Sequence, residues 1–271
     1  MSKKSQGTKK EKNKGQPYKP ADNSLLITIV ETSISRSEVT NVATTNAEPP
    51  TLLDYAGMLI ANKKRPTEKG TMGGVLSSDK GDIYGLTCFH VVKQHHTDLT
   101  QFLPEESVEV VSENGESIGV FDEKTAIFNT KLDVALIKLS GKFHNKRIDS
   151  PTKFIDITEA DLGTEVYFFN DRNKKKVKGF IRRINQKGNW ELGKYENVTF
   201  VSSSMDDDSC RKISDKGDSG SWMMRVSDNA LIGVVFANSA TSTWVIPFSE
   251  IIQAYKKKNI TLTLNLLSND E

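Results

Sequence analysis

The sequence has no long apolar run. No stretch of about 18 apolar residues occurs in its 271 residues, which excludes a transmembrane helix, and we expect no membrane partner. The N-terminal region also lacks the apolar core of a signal peptide, because its first apolar stretch, 25–30, is too short and begins too far into the chain. We therefore expect an intracellular protein, cytoplasmic or nuclear.

Cysteine is scarce as well. Cys88 and Cys210 are too few for a disulfide framework, and without an export signal we expect both thiols to be reduced. Cys88 lies in an apolar stretch, where an inert thiol is the default. The pair His95-His96 has no Cys, His or Asp partner at ligand spacing, so the sequence indicates neither a metal nor another cofactor.

Positive charge is concentrated at the N-terminus. Residues 1–20 contain seven lysines and one acid and carry +6, while the whole chain carries +2, so residues 21–271 carry the difference, −4. So polar a segment cannot repay its ordering entropy, and we expect residues 1–50 to be a disordered basic tail and polar linker, with 25–30 as a candidate strand. The tail either only solvates the protein or contacts nucleic acid or an acidic partner.

Short β-branched runs recur after Pro50, separated by Gly, Asp, Asn and Lys, which is typical of many short strands. Hairpin turns are predicted at 171–178 and 186–188, and helical periodicity is clear only after Ser249, a predicted N-cap. The pattern predicts an all-β protein with two six-stranded antiparallel β-barrels and a C-terminal α-helix. The predicted boundaries are 51–140 for the N-terminal barrel, 141–160 for a linker, 161–258 for the C-terminal barrel with the helix, and 259–271 for a tail.

The strongest chemical motif is Gly217-Asp218-Ser219-Gly220. A serine hydroxyl is a poor nucleophile, so it needs an adjacent base and a turn that presents it openly. The two glycines permit a tight turn and close approach of a substrate backbone. The N–H groups of Gly217 and Ser219 would then cradle a developing oxyanion. A surface β-turn uses the same residue types, so the motif alone leaves both interpretations open.

Two further patterns supply candidate partners for Ser219. His90 follows a buried apolar run, and histidine is suited to proton transfer near neutral pH, although a core histidine fits the same setting. Asp133 opens another apolar run, where it either begins a strand or acts as a buried carboxylate that holds the histidine tautomer. The order His, Asp, Ser within an all-β pattern is the chymotrypsin arrangement.

From about Gly57 to Tyr255 the chain resembles the chymotrypsin/trypsin-like serine proteases. The matching segments are 70–76, 86–90, 133–137, 217–220 and 231–235. The resemblance implies an active site in the cleft between two barrels, with His90 and Asp133 from the first barrel and Ser219 from the second. It also implies protein or peptide substrates.

The resemblance further implies a substrate pocket. The residue six positions before the nucleophile, Ile213, would line the pocket floor, and Phe236-Ala237-Asn238 would bind the substrate backbone. Since Ile213 is not acidic, we expect an uncharged, apolar-leaning pocket. In the secreted members of the family, cleavage creates a new Ile-Val-Gly-Gly N-terminus that pairs with the acid before the nucleophile, which is Asp218 here. That start is absent from this sequence, so we expect Asp218 to have another partner. In these features the sequence resembles intracellular, bacterial stress-type or viral members of the family more than secreted zymogens.

Two functions fit these observations. The triad predicts a serine endopeptidase that works through an acyl-enzyme. The alternative is a catalytically silent, protease-like binding module whose basic tail docks a partner or nucleic acid. The two differ in whether the cleft is open and the oxyanion turn is formed.

Overall fold

The structure, a computed structural model, describes residues 57–93, 107–140, 151, 153–170, 175–190 and 193–264. The basic tail, the candidate strand 25–30, most of the predicted linker and residues 265–271 lie outside the described residues. The predictions made for those segments therefore stay predictions. In the described ranges, no helix has the length and apolar character that crossing a membrane requires.

The first half of the described chain forms an antiparallel sheet. Its elements are β1 (Met58–Asn62), β2 (Lys69–Met72), β3 (Gly74–Ser78), β4 (Ile83–Thr87), α1 (Phe89–Val92), β5 (Val108–Ser112), β6 (Ser117–Phe121), β7 (Ile127–Phe128) and β8 (Asp133–Leu139). The strand order is β3-β4-β8-β6-β5-β1-β2, and β7 pairs with β8. The adjacency of β4 and β8 matters most, because His90 follows one strand and Asp133 begins the other.

The second half closes into a barrel. Its elements are β9 (Glu165–Asn170), β10 (Lys175–Trp190), β11 (Gly193–Ser202), β12 (Trp222–Arg225), β13 (Leu231–Asn238), β14 (Thr243–Pro247) and α2 (Phe248–Lys257). The ring runs β10-β11-β14-β13-β12-β9. After α2 the chain returns to the first sheet, where β15 (Leu262–Leu264) pairs with β3. The segment predicted as a C-terminal tail therefore contains a strand.

The predicted all-β fold with a C-terminal helix is confirmed, and the second unit is a closed six-stranded barrel. The first unit differs in detail, since it is an open sheet with nine strands among the described residues. One reason is β15. Another is that the predicted run 70–76 is divided at Gly73, where the backbone approaches the Trp222 ring so closely that a Cβ would clash with it.

The hairpin formed by β10 and β11 corrects a sequence prediction. Residues 186–188, predicted as a turn, lie inside β10, which continues to Trp190. Their turn-like composition is accommodated by shifts in the pairing register with β11 and by a positive φ of 53° at Asn185. A Cβ at Gly188 would clash with the Trp244 ring, so packing, not a turn, requires glycine here. Tertiary contacts override the local turn preference.

The helix α2 begins earlier than predicted. Pro247, with φ −58° and no N–H to satisfy, takes the N-cap position, so the predicted N-cap Ser249 lies in the first turn. The buried face of the helix includes Ile251 and Tyr255, as its periodicity predicts. The Tyr255 hydroxyl donates to the Thr125 carbonyl at 2.7 Å, which joins the helix to the first unit.

A bidentate ion pair holds the turn between β12 and β13. Arg225 Nε and Nη2 donate to the two carboxylate oxygens of Asp228 at 2.9 and 2.8 Å. These hydrogen bonds hold the pKa of Asp228 well below its usual value. The pair fixes the start of β13, whose far end reaches the candidate site.

Candidate active site

His90 and Asp133 are brought together by the pairing of β4 with β8. His90 Nδ1 lies 2.6 Å from Asp133 Oδ2, and the His90 backbone N–H donates to Oδ1 at 3.1 Å. The Asp133 side chain is 0% exposed and that of His90 is 17% exposed. Because a carboxylate only accepts hydrogen bonds, Nδ1 carries the hydrogen and Nε2 is left as the basic nitrogen.

The short helix α1 that carries His90 is held by tertiary hydrogen bonds. Four residues are too few for a helix that is stable by itself. Asn62 Nδ2 donates to the carbonyls of Val92 and Lys93, both at 3.1 Å, and the Arg65 guanidinium also donates to Lys93. These bonds satisfy the end of the helix and fix the backbone on which the His90 ring is mounted.

The Ser219 turn has the geometry that its glycines predict. Gly217 and Gly220 adopt φ values of +97° and +98°, which L side chains rarely adopt. At Gly220 a Cβ would also clash with the Thr71 carbonyl oxygen. The Asp218 N–H donates to the Asp215 carbonyl at 3.1 Å, which closes the turn.

The acid before the serine is satisfied within the chain. Asp218 is buried, and its Oδ1 accepts from Asn170 Nδ2 at 2.8 Å. Its Oδ2 accepts from the Asp215 N–H at 2.7 Å. Asp218 therefore has partners that do not depend on a new N-terminus. The sequence carries no signal for Asn170, which lies 48 positions away at the end of β9.

Two backbone N–H groups of the turn have no hydrogen-bond acceptor among the described residues. Within the described ranges, neither the Gly217 nor the Ser219 N–H donates to a protein group, whereas those of Asp218 and Gly220 do. Thr71 anchors the turn to β2, because its hydroxyl donates to the Gly217 carbonyl at 2.8 Å and its N–H donates to the Ser219 carbonyl at 2.7 Å. The Asp218 carbonyl, which shares a peptide group with the Ser219 N–H, accepts from the Ser221 N–H at 3.0 Å, and this bond fixes the direction of the Ser219 N–H. Sequence analysis missed Thr71.

One carbonyl joins the His90 and Ser219 segments. Val235 O accepts from Cys88 Sγ at 3.3 Å and from the Gly220 N–H at 2.7 Å. Burial, and then the charge of Asp133, raises the pKa of the Cys88 thiol well above its ordinary value, so the thiol stays protonated and acts as a donor. The residue two before His90 and the residue after Ser219 thus meet at the same point of β13.

The Ser219 hydroxyl donates to the Phe236 carbonyl at 3.2 Å. In the part of the chain that the structure describes, it makes no hydrogen bond to His90. Catalytic hydrogen bonds are often long before substrate binds, and rotation about the Cα–Cβ bond redirects a serine Oγ. The arrangement has the parts for acyl transfer, with a fixed base, a presented hydroxyl and two free N–H donors.

No protein-family model and no curated protein matches the sequence. Solved structures do match. A glutamic-acid-specific serine protease is 16% identical, with a TM-score of 0.54 over 78% of this chain and 100% of its own. Nocardiopsis protease is 17% identical, with a TM-score of 0.53 over 78% and 98%. Cellulomonas bogoriensis chymotrypsin is 15% identical, with a TM-score of 0.53 over 78% and 99%.

The chain has the chymotrypsin-like fold. The predicted resemblance is confirmed at the level of the fold, while the intracellular style stays a prediction. In this chymotrypsin-like fold, His90 and Asp133 lie in the first unit and Ser219 lies in the second, the division that the resemblance implied.

An aromatic contact of His90 was not predicted. The ring of Trp190 packs edge-on against the His90 imidazole, with 4.9 Å between the ring centroids, and lies 5.9 Å from the Phe236 ring. The hairpin that carries it is tied to the first unit, since the Glu196 N–H donates to the Thr130 carbonyl at 2.6 Å. The incorrect turn at 186–188 concealed this contact.

The predicted pocket residues differ in how far they are buried. Ile213 is half-buried and packs against the core of the second barrel, with its side chain beside Gly179. Phe236 and Ala237 are buried and Asn238 is half-buried at the end of β13. The Ile213 N–H donates to Thr243 Oγ1, and Asn238 Nδ2 donates to the Ser214 carbonyl. The Ser214 and Thr243 hydroxyls are hydrogen-bonded to each other.

One group of side chains could in principle hold a metal ion. Ligand atoms of Cys88, His90 and Asp133 lie within 4.8 Å of one another. The buried thiol is a poor ligand, however, because its raised pKa keeps it protonated. His90 Nδ1 is already bonded to Asp133. The group fits a hydrogen-bonded His–Asp pair better than a metal site.

Proposed function

We propose that this protein is a serine endopeptidase that cleaves proteins or peptides, with His90, Asp133 and Ser219 as its catalytic triad. One observation carries the proposal. The buried Asp133 carboxylate accepts hydrogen bonds from both the ring and the backbone of His90, which leaves Nε2 as a base. A carboxylate in this position stabilises the imidazolium that forms when histidine takes a proton.

The reaction is acyl transfer. Ser219 Oγ attacks the substrate carbonyl while His90 Nε2 takes its proton, and the carbonyl oxygen becomes an oxyanion. The backbone N–H groups of Gly217 and Ser219, which have no acceptor among the described residues, stabilise that charge. The C–N bond then breaks as His90 protonates the leaving amine. Water repeats the sequence on the acyl-enzyme, which releases the carboxylic acid and restores Ser219.

The substrate backbone pairs with the end of β13. The side chain of Phe236 is fully buried, so its backbone carbonyl is the group that remains for contact near Ser219. Ala237 and Asn238 extend this edge. An extended peptide placed here would add a strand beside Ser219, with main-chain hydrogen bonds that do not depend on its side chains.

The substrate residue before the scissile bond can be recognised only by side-chain types that the second barrel contains. One protein of similar structure is described as a glutamic-acid-specific serine protease that uses a histidine triad in substrate binding. All four histidines of this chain precede residue 161, so the second barrel offers none for such a role. Recognition by histidine in the second barrel is therefore ruled out here.

A fluorophosphonate probe tests the proposal. It should label the wild-type protein at Ser219 and should not label Ser219→Ala, because only an activated serine reacts readily with this electrophile. Ser77→Ala, in β3, is the matched control and should be labelled like the wild type. A folded wild-type protein that is not labelled, and cleaves no casein, would overturn the proposal and favour the silent binding module.

A further inference from the structure

Three polar side chains meet beside the Ser219 turn. Ser214 is 1% exposed and Thr243 is 0% exposed, and Asn238 donates from Nδ2 to the Ser214 carbonyl at 3.2 Å. Asp215, the next residue after Ser214, donates its N–H to Asp218 Oδ2 at 2.7 Å, which connects Ser214 to the Ser219 turn. Asn238 lies two positions after Phe236, the residue whose carbonyl accepts the Ser219 hydroxyl. The group therefore borders the place where a substrate residue would be held.

The hydrogen bonds of Thr243 show which of two hydroxyls, its own or that of Ser214, donates to the other. Thr243 Oγ1 accepts from the N–H groups of Ile213 and Ser214, both at 2.9 Å. A hydroxyl oxygen has two lone pairs, so both are occupied. The remaining contact, 2.9 Å between Thr243 Oγ1 and Ser214 Oγ, must therefore have Thr243 as donor and Ser214 as acceptor.

This direction leaves the Ser214 hydroxyl hydrogen without an acceptor. Within the described residues, the other contact of Ser214 Oγ is with Asn238 Nδ2 at 3.5 Å, and that group is also a donor. A buried donor with no acceptor is costly, and the cost is removed when a ligand supplies one. Asn238 Oδ1, oriented by the donation from Nδ2, has no partner in the same ranges and offers an acceptor.

The chemistry of the ligand follows from the charges. The members of the group are uncharged, and the hydrogen bonds that link them involve no ionisable side chain. Burial of a carboxylate here without a cation would be expensive, as would burial of a lysine or arginine without an acid. An apolar side chain would leave the Ser214 donor unmatched. A primary carboxamide supplies an acceptor and donors without a charge.

We propose that Ser214, Thr243 and Asn238 form the primary specificity site and select glutamine or asparagine before the scissile bond. This inference rests on the proposed peptidase function and gives its substrate class. It keeps the predicted uncharged pocket and replaces its apolar-leaning character with a hydrogen-bonding one. Ser214 is the donor to the substrate amide oxygen, and Thr243 is a positioning residue that orients Ser214.

A peptide library with one fixed residue before the scissile bond tests the proposal. We expect the wild-type kcat/KM for glutamine or asparagine to exceed that for leucine, glutamate and lysine by about tenfold or more, since a site built for a hydrogen bond rejects ligands that lack it. Ser214→Ala should lower kcat/KM for the preferred amide about 10- to 100-fold and change that for leucine less than about threefold. Ser77→Ala should change neither.

The orienting role of Thr243 has its own readout. Thr243→Val should reduce the ratio of amide to leucine cleavage, because the Ser214 hydroxyl then loses its fixed direction. The wild-type library decides the proposal even if both variants fail to fold. Preference for leucine, glutamate or lysine by a protein that the fluorophosphonate labels would overturn this inference and leave the peptidase function intact. Absence of both labelling and cleavage would overturn both.

Discussion

Replacement of Asp133 by asparagine tests the arrangement of His90 most directly. Both Asp133 oxygens accept from His90, at 2.6 Å from the ring and 3.1 Å from the backbone. Asparagine keeps the shape but changes one oxygen to an amide that only donates. If that amide faces the ring, Nδ1 must become the acceptor. The hydrogen then moves to Nε2, and the base is lost where Ser219 needs it.

The expected effect is large. A wrong histidine tautomer with intact geometry lowers kcat by about 10⁴ in the chymotrypsin template. At about 1.4 kcal/mol per tenfold, this equals about 5.5 kcal/mol of lost transition-state stabilisation. If the amide instead faces the His90 backbone N–H, two donors oppose each other in a fully buried site, and folding stability falls by about 1–3 kcal/mol.

Two measurements separate these effects. The kcat for a peptide substrate reports the catalytic loss, and urea unfolding reports the stability. Asp79→Asn, at an exposed aspartate, is the matched control and should change neither quantity. A folded Asp133→Asn variant that loses less than about tenfold in kcat would show that Asp133 is not the third member of the triad.

Three further substitutions test other parts of the molecule. Gly220→Ala should destabilise the protein by about 2 kcal/mol or more, because φ is +98° and a Cβ would clash with a backbone carbonyl of β2. A wild-type urea midpoint would contradict this. Trp190→Ala should lower kcat/KM about tenfold, and Trp190→Phe should retain most of it, since an aromatic edge packs on His90. If Trp190→Ala cleaves peptides as fast as the wild type, the ring has no role in the reaction. Hydrogen bonds from Arg225 lower the pKa of Asp228, so its stabilising contribution is present above about pH 4 and is lost as the pH falls toward the lowered pKa. Asp228→Asn should therefore unfold at lower urea than wild type at pH 7, with a difference that shrinks between about pH 4 and pH 2, and a constant difference would refute this.

Short motifs were sufficient to select the candidate catalytic residues. Histidine after one buried strand, aspartate at the start of another and serine between glycines are each local patterns. Their order gave the family resemblance, and the structure places His90 against Asp133. The alternation of strands and turns likewise predicted the all-β fold, because the period of a strand and the turn preference of glycine act over a few residues.

The sequence did not predict how the site is supported. The bond from Thr71 to Gly217 spans 146 positions, and the bond from Asn170 to Asp218 spans 48. No local pattern marks such partners, because a threonine or asparagine in a strand looks the same whether it faces water or a distant carbonyl. The pocket role predicted for Ile213 stays a prediction, since its half-buried side chain packs against the core of the second barrel.

The sequence by itself therefore determined the types of the candidate catalytic residues, their order and the β-rich fold, since these depend on local chemistry and strand periodicity. Only the tertiary structure decided which N–H groups are free, which carbonyl joins Cys88 to Gly220 and which hydroxyl, that of Ser214, lacks an acceptor. These properties depend on which groups are already paired. Hydrogen-bond partners that are distant in sequence are brought together only by the folded structure, so they can be identified only from that structure.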